Sequence, residues 1–220
     1  MKDSAISYEE KGIARWRLAW RNQHFRILFS SAFILLLMVA FIAPHLFNYI
    51  QERPGVAMPD PLLDYLPVYD VSRGIFLVMH FCMLISLFFL VSRPEWLLQT
   101  FVAFGLLFIF RFITLYLTPL DEPQNLLVLR DPFIDRFFYQ QPITRDLFFS
   151  GHTSVLILFG LCTPHPFLRK VIFTGAVIVG CLLLVHHAHY TIDVIAAPFG
   201  AWAGYRVAKI ILKRFGYIYI

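Results

Sequence analysis

Charge is scarce in this sequence. Only 15% of its 220 residues are Asp, Glu, Lys or Arg, where a soluble domain carries about 25%. Most of the chain therefore has too little polar surface to face water. Cysteine is scarce as well: Cys82, Cys162 and Cys181 all lie inside apolar stretches, at no metal-like spacing. They read as small core hydrophobes and say nothing about redox compartment. No glycine-rich nucleotide loop is present, so a soluble nucleotide donor has no evident cradle. There is no internal repeat and no low-complexity segment. No small-residue cleavage site follows closely on the polar N-terminal stretch, so a signal peptide is not expected.

What the chain has in abundance is apolar residues, 59% of the total, with a mean hydropathy of +0.67. The expected fold is all-α, a polytopic membrane protein built as a six-transmembrane-helix bundle. Residues 1–26 form a basic tail, 27–211 a membrane catalytic domain, and 212–220 a C-terminal tail. Ile27 to Phe47 lacks any Asp, Glu, Lys or Arg and is long enough for ~30 Å of hydrocarbon. Further spans are expected over 74–91, 96–117, 147–164, 171–185 and 190–211. Residues 48–73 read as an ordered, proline-rich loop. The connection 118–146 is long enough to be functional, and Phe133, Phe137, Phe138 and Tyr139 favour packing on the membrane surface. The stretch from Arg15 to Arg26, with Trp16 and Trp20, is either an amphipathic interfacial helix or a plain positive anchor.

A net charge of +5 would hint at nucleic acid in a soluble protein, but here its distribution decides. With six spans the termini share a side, and that side collects thirteen of the nineteen basic residues. The positive-inside rule then makes the termini cytoplasmic, with no nucleic-acid partner implied. Two histidine motifs, the 118–146 loop and Arg111 gather at the exoplasmic face.

Those motifs carry the chemistry. His189 and Asp193 are four apart, so on a helix they share one face, where a carboxylate holds an imidazole's tautomer. Ser150 and Gly151 lead into an apolar run whose first N–H groups make an anion cradle. His152 follows directly. Together they suggest phosphoryl transfer through a phosphohistidine. Arg111, an arginine inside a span, either grips a phosphate oxygen or pairs with Asp146 or Asp193. Asp146 either orients His152 or caps the helix that follows. His186, His187 and His189 invite a metal reading, but adjacent helical histidines diverge by about 100°, and no second cluster completes the ligands. No metal and no cofactor is expected. His24, His45, His80 and His165 read as structural or interfacial.

Four stretches together carry a resemblance. Ser150-Gly151-His152-Thr153 and His189-Tyr190-Thr191-Ile192-Asp193 are similar to motifs of the sphingomyelin synthase family, within the superfamily typified by type 2 phosphatidic acid phosphatases. The stretch from Arg111 through Thr114 and Thr118 to Leu120 resembles that family's Arg-x-x-Thr-x-x-x-Thr-x-Leu-Pro motif, and Met58-Pro59-Asp60 to Asp64 its Pro-Asp loop. The family's Cys-Gly-Asp appears here as Thr144-Arg145-Asp146, its proline beyond the threonines is displaced, and the lipid phosphatases' Lys-x6-Arg-Pro motif is missing. The resemblance implies that His189 attacks phosphorus with Asp193 behind it, while His152 serves as acid and then base. It implies that Arg111, Asp146, Ser150, Gly151 and Tyr190 hold the substrate. The implied partners are a phospholipid donor and ceramide or another lipid alcohol as acceptor; a homo-oligomer is compatible. If water is the acceptor, the same machinery is a phosphatase or phospholipase C-like hydrolase. A non-catalytic transporter or scaffold would show broken spans paired across two halves, and none is visible.

Overall fold

In lipid, backbone groups have no water to bond, so apolar runs must satisfy them internally as helices. The computed structural model describes residues 8–129 and 143–216, with side chains from residue 12 onward. Among them the chain is helical: α1 (Tyr8–Arg21), α2 (Gln23–Glu52), α3 (Pro61–Tyr65), α4 (Ser72–Val91), α5 (Pro94–Leu117), α6 (Gly151–Cys162), α7 (Pro166–Val185) and α8 (Thr191–Arg214). No strand occurs among these residues beyond an isolated bridge between Val56 and Leu120.

Local chemistry sets the boundaries. Asn22 starts α2 by accepting from the His24 and Phe25 amides. Pro94 and Pro166 sit in the first turns of α5 and α7, where a missing N–H costs nothing. Arginines close the other ends. Arg53 donates to the carbonyls of Leu115, Tyr116 and Thr118 at the end of α5. Arg145 donates to Gln51 O and Arg53 O at the end of α2, and pairs with Asp121 at 2.9 Å.

Four helices are long and apolar enough to cross a membrane: α2, α4, α5 and α7. The exterior of the bundle is apolar too, with Phe33, Leu37 and Phe41 of α2 and Leu77, Leu84 and Phe88 of α4 exposed. These are the marks of an integral membrane protein. Two of the six predicted spans differ from expectation. The span predicted over 147–164 is helical only from Gly151 to Cys162, twelve residues or about 18 Å. Residues 147–150 cannot join it, because the Phe148 and Phe149 carbonyls accept from Thr114 and Arg111 side chains instead. The last helix, α8, carries Asp193, Arg206 and Lys209, which lower its hydropathy. Its outer stripe is nonetheless apolar: Ile192, Ile195, Phe199, Trp202 and Ile210 are exposed while Asp193, Ala197, Ala201, Gly204 and Ala208 are buried.

Other boundaries move less. The first span extends to Gln23–Glu52, and the fifth begins at Pro166 rather than Val171. Helix α8 runs through Arg214, into the predicted tail. The basic tail is helical from Tyr8 to Arg21 and is docked rather than free: Trp16 Nε1 donates to Val91 O at 2.6 Å, and Trp16 and Trp20 pack on Phe25 and Phe29. The aromatic stretch Phe133–Tyr139 lies outside the described residues.

Helix α6 is the hub. It touches α4, α5, α7 and α8, and eight of its twelve residues are buried. Around it, α5 packs on α2 and α8. The last contact is close because Gly204 has no side chain: a Cβ there would lie 3.1 Å from Ala103 O and 3.3 Å from Leu107 N, both backbone atoms. Gly204→Leu should therefore destabilise the protein by at least the ~1–3 kcal/mol of an overpacked core. Thermal unfolding in detergent measures this, and an unchanged midpoint would refute the close-packing account.

Candidate active site

The N-termini of α6 and α8 meet, and the histidines follow from that. Ser150 N donates to Asp193 O at 3.0 Å, a backbone bond that ties the start of one helix to the first turn of the other. His152, in the first turn of α6, and His189, just before α8, then face each other with ring centroids 6.1 Å apart. His189 Nδ1 lies 3.3 Å from Asp193 Oδ2, and both residues are buried. A carboxylate in that position accepts a hydrogen bond from Nδ1–H and leaves Nε2 with its lone pair free to react. His189 Nε2 has no hydrogen-bond partner among the described residues.

Asp193 has a second task. Its Oδ2 also accepts from Tyr190 N at 3.0 Å, tying the first turn of α8 back to the residue just before it. The carboxylate is thereby locked before any substrate arrives. Tyr190 itself is buried, and its hydroxyl donates to Asp121 O at 3.1 Å while accepting from Met58 N at 3.2 Å. Tyr190, expected to hold the substrate, has its hydroxyl bonded within the protein and also lines a cavity beside the site.

Arg111 is brought in from α5. It is 2% exposed, and its Nε donates to Phe149 O at 3.0 Å. One Nη pairs with Asp146 Oδ1 at 2.5 Å. Of the readings open for these residues, the Arg111–Asp146 pair is the one present, while Ser150 rather than Asp146 is the cap of α6, accepting from Thr153 N. The other Arg111 nitrogen, Nη1, has no hydrogen-bond partner among the described residues. Gly151 makes room for this cation, since a Cβ there would sit 2.8 Å from the guanidinium carbon. The Gly151 and His152 amides, at the open end of α6, likewise bond to no protein group among the described residues. A guanidinium, two free amides and two imidazoles thus converge where an anionic phosphorus centre would fit.

His152 Nδ1 is buried without a partner among the described residues, and the ring packs edge-on to Phe76. No acid orients it. His186 and His187 turn elsewhere: His186 Nδ1 meets Val71 N and Tyr69 O, and His187 lies between the carbonyls of Gln124 and Leu66. Among the described residues, no three His, Cys, Asp or Glu side chains gather as metal ligands.

Asp60 was not foreseen as part of the site. It caps α3 through the Leu62 and Leu63 amides, and also accepts from Thr191 N at 2.6 Å and Thr191 Oγ1 at 2.9 Å. Its Asp-Pro sequence signals a cap for α3. Nothing in the sequence points to the bond made 131 residues away. A cavity of about 560 Å³ opens beside it, lined by Asp60, Asp64, Gln124, Asn125, His187 and Tyr190 among others.

Residues 145–211 match the family described as PAP2 superfamily C-terminal. The matched segment contains Asp146, Ser150, Gly151, His152, His189 and Asp193, and excludes Arg111 and Asp60. It supports placement in the type 2 phosphatidic acid phosphatase superfamily and fits an enzyme acting on phosphate esters. No curated protein matches the chain.

Asp60 makes the site acid-sensitive. Burial pushes its carboxyl up, but the bonds from Thr191, Leu63 and Leu62 together outweigh that and hold it below the usual carboxylate range. A depressed pKa stabilises the fold above the unfolded value of about 4, and that stability is lost as pH falls through the folded value. The wild-type melting temperature should therefore drop relative to Asp60→Asn as pH is lowered below about 4. Parallel melting curves for the two proteins across that range would refute the assignment.

Proposed function

We propose that this protein is a membrane lipid phosphotransferase of the sphingomyelin synthase type. It moves a phospho-head group from a glycerophospholipid to ceramide or another lipid alcohol through a phosphohistidine on His189. The observation that carries this reading is the facing pair His152 and His189, with Asp193 behind only one of them. Two imidazoles of unequal support suit two different tasks.

The steps follow from that inequality. His189 Nε2 attacks the donor phosphorus while its Nδ1 proton stays on the Asp193 bond. The phosphorus–oxygen bond to diacylglycerol breaks, and the departing oxygen takes a proton from His152. The acceptor hydroxyl then gives its proton back to His152, its oxygen bonds to phosphorus, and the bond to His189 breaks. A positioned acid or base contributes about 10²–10⁴-fold, and a covalent intermediate divides one difficult displacement into two. Arg111 Nη1 and the Gly151 and His152 amides hold the non-bridging oxygens, where charge builds up.

The architecture proposed with this function is a bundle of six spanning helices, termini cytoplasmic and the site opening to the exoplasmic leaflet. The apolar outer stripe of α8 supports a sixth span: Ile192 to Ile210 rises ~27 Å along the helix. A hydrolase using the same residues is the second reading. The polar cavity beside Tyr190 favours it, since Asp60, Asp64, Gln124 and Asn125 would welcome water. Purified protein given a phospholipid with a labelled head group, with and without ceramide, separates the two. Label moving to lipid supports transfer, and label released to water at the same rate in both supports hydrolysis.

The histidines should fail differently. A nitrophenyl phosphodiester has a leaving group that needs no proton, so His152→Ala should still be phosphorylated by it, and the adduct should persist. His189→Ala should form none. Peptide mass spectrometry after short incubation reads this, and an adduct on His152 would reverse the roles. Arg111→Lys should lower kcat/KM by about 10²-fold, the scale for losing one preorganised donor, because an ammonium cannot keep the Asp146 and Phe149 bonds and also reach a phosphate. Near-normal kinetics would leave Arg111 no role at the phosphorus.

A further inference from the structure

An apolar groove of about 400 Å³ runs along the outside of the bundle between α5 and α8. Phe110, Ile113 and Thr114 form one wall and Ala196, Phe199, Gly200 and Ala203 the other, with Phe148 and Phe149 also lining it and the Phe149 ring against Gly200. Almost nothing polar lines it. We infer that this groove takes one acyl chain of the lipid whose phosphate sits at the histidine pair, an inference that rests on the lipid phosphotransfer reading above.

Three observations identify that occupant. First, the groove is continuous with the site. Phe149 contributes its ring to the groove and its carbonyl to Arg111, while Thr114 lines the groove and donates to Phe148 O. The next residue along is Ser150, the cap of α6. Second, the groove descends from the right depth. On α8, Ala196, Gly200 and Ala203 lie three, seven and ten residues beyond Asp193, on a single face. At 1.5 Å per residue the groove reaches ~15 Å below Asp193. That is half of a ~30 Å hydrocarbon core, the depth of one leaflet and the reach of one lipid tail. Third, its volume lies within the 300–1,000 Å³ range of sites that take a small ligand.

The groove also has a width set by small residues. Ala196 and Ala203 leave the space that a larger side chain would fill, while Gly200 lets the Phe149 ring lie against α8. Gly200 is packed against the Phe149 ring and cannot be enlarged without moving it. Ala203 is the better probe, being half-buried at the deeper end.

Ala203→Phe in the full chain should therefore separate substrates by tail length. For a phospholipid with two sixteen-carbon tails, kcat/KM should fall about tenfold, the loss expected for about two displaced methylenes. For the nitrophenyl phosphodiester, which has no tail, turnover should stay within about twofold of wild type, which also shows that the variant has folded. Independently of turnover, a phospholipid bearing a mid-chain diazirine should label peptides containing Phe110 or Phe199 in wild type and not in Ala203→Phe. Equal labelling of all lipid-facing helices in both proteins, or equal long-tail kinetics in both, overturns the groove assignment. A wild type that turns over neither substrate while its groove still takes label overturns the phosphotransfer reading instead.

Discussion

A guanidinium buried in a membrane protein must be bonded from several sides, and much of this structure arranges itself around Arg111. A cation inside a span costs a few kcal/mol unless it is paired. Asp146 supplies the counter-charge and Phe149 a carbonyl. Meeting those two demands pulls residues 146–149 out of helical conformation and lays them across α5. The helix that follows can then begin only at Gly151, which must be glycine for the guanidinium to lie against it. The position of His152 is a consequence. One buried charge thus shortens a helix, sets its first residue and presents a histidine at its mouth.

The other histidine is placed by a different economy. Asp193 bonds both the Tyr190 amide and the His189 ring through the same oxygen. Its other oxygen, Oδ1, is buried with no partner among the described residues. The start of α8 is therefore held as much by its neighbours as by its own cap. Asp60 takes the Thr191 amide and hydroxyl, and Tyr190 is pinned between Met58 and Asp121. The loop 53–71 acts as a collar around the reactive end of the helix, which explains why an acid so far away in sequence belongs to the site's support.

What could be read from the sequence, and what could not, divides along the range of the interactions. The membrane class, the helical fold and the pairing of His189 with Asp193 depend on composition and on spacings of a few residues. All were legible. The partner of Asp146 was left open because its choice depends on where α5 lies in space, and the docking of Trp16 on Val91 likewise joins residues 75 apart. The short α6 was missed for a sharper reason. Hydropathy treats Leu147-Phe-Phe149 as spanning material, whereas side chains on α5 claim its carbonyls. A one-dimensional scale does not see a hydrogen bond arriving from another helix. The cavity beside Asp60 and the groove between α5 and α8 are shapes, and no periodicity announces them.

The bond from Ser150 N to Asp193 O gives the site a property of its own. Helices that cross a bilayer tilt and shift as its thickness changes, and residues carried on separate spans would drift apart with them. Here the facing histidines are tied close to the peptide backbone, where the two helices begin, so tilting pivots both about a shared pin. The gap between the imidazoles is thus decoupled from the mechanics of the surrounding lipid. A change of bilayer thickness then falls on the far ends of the two helices, away from that pin.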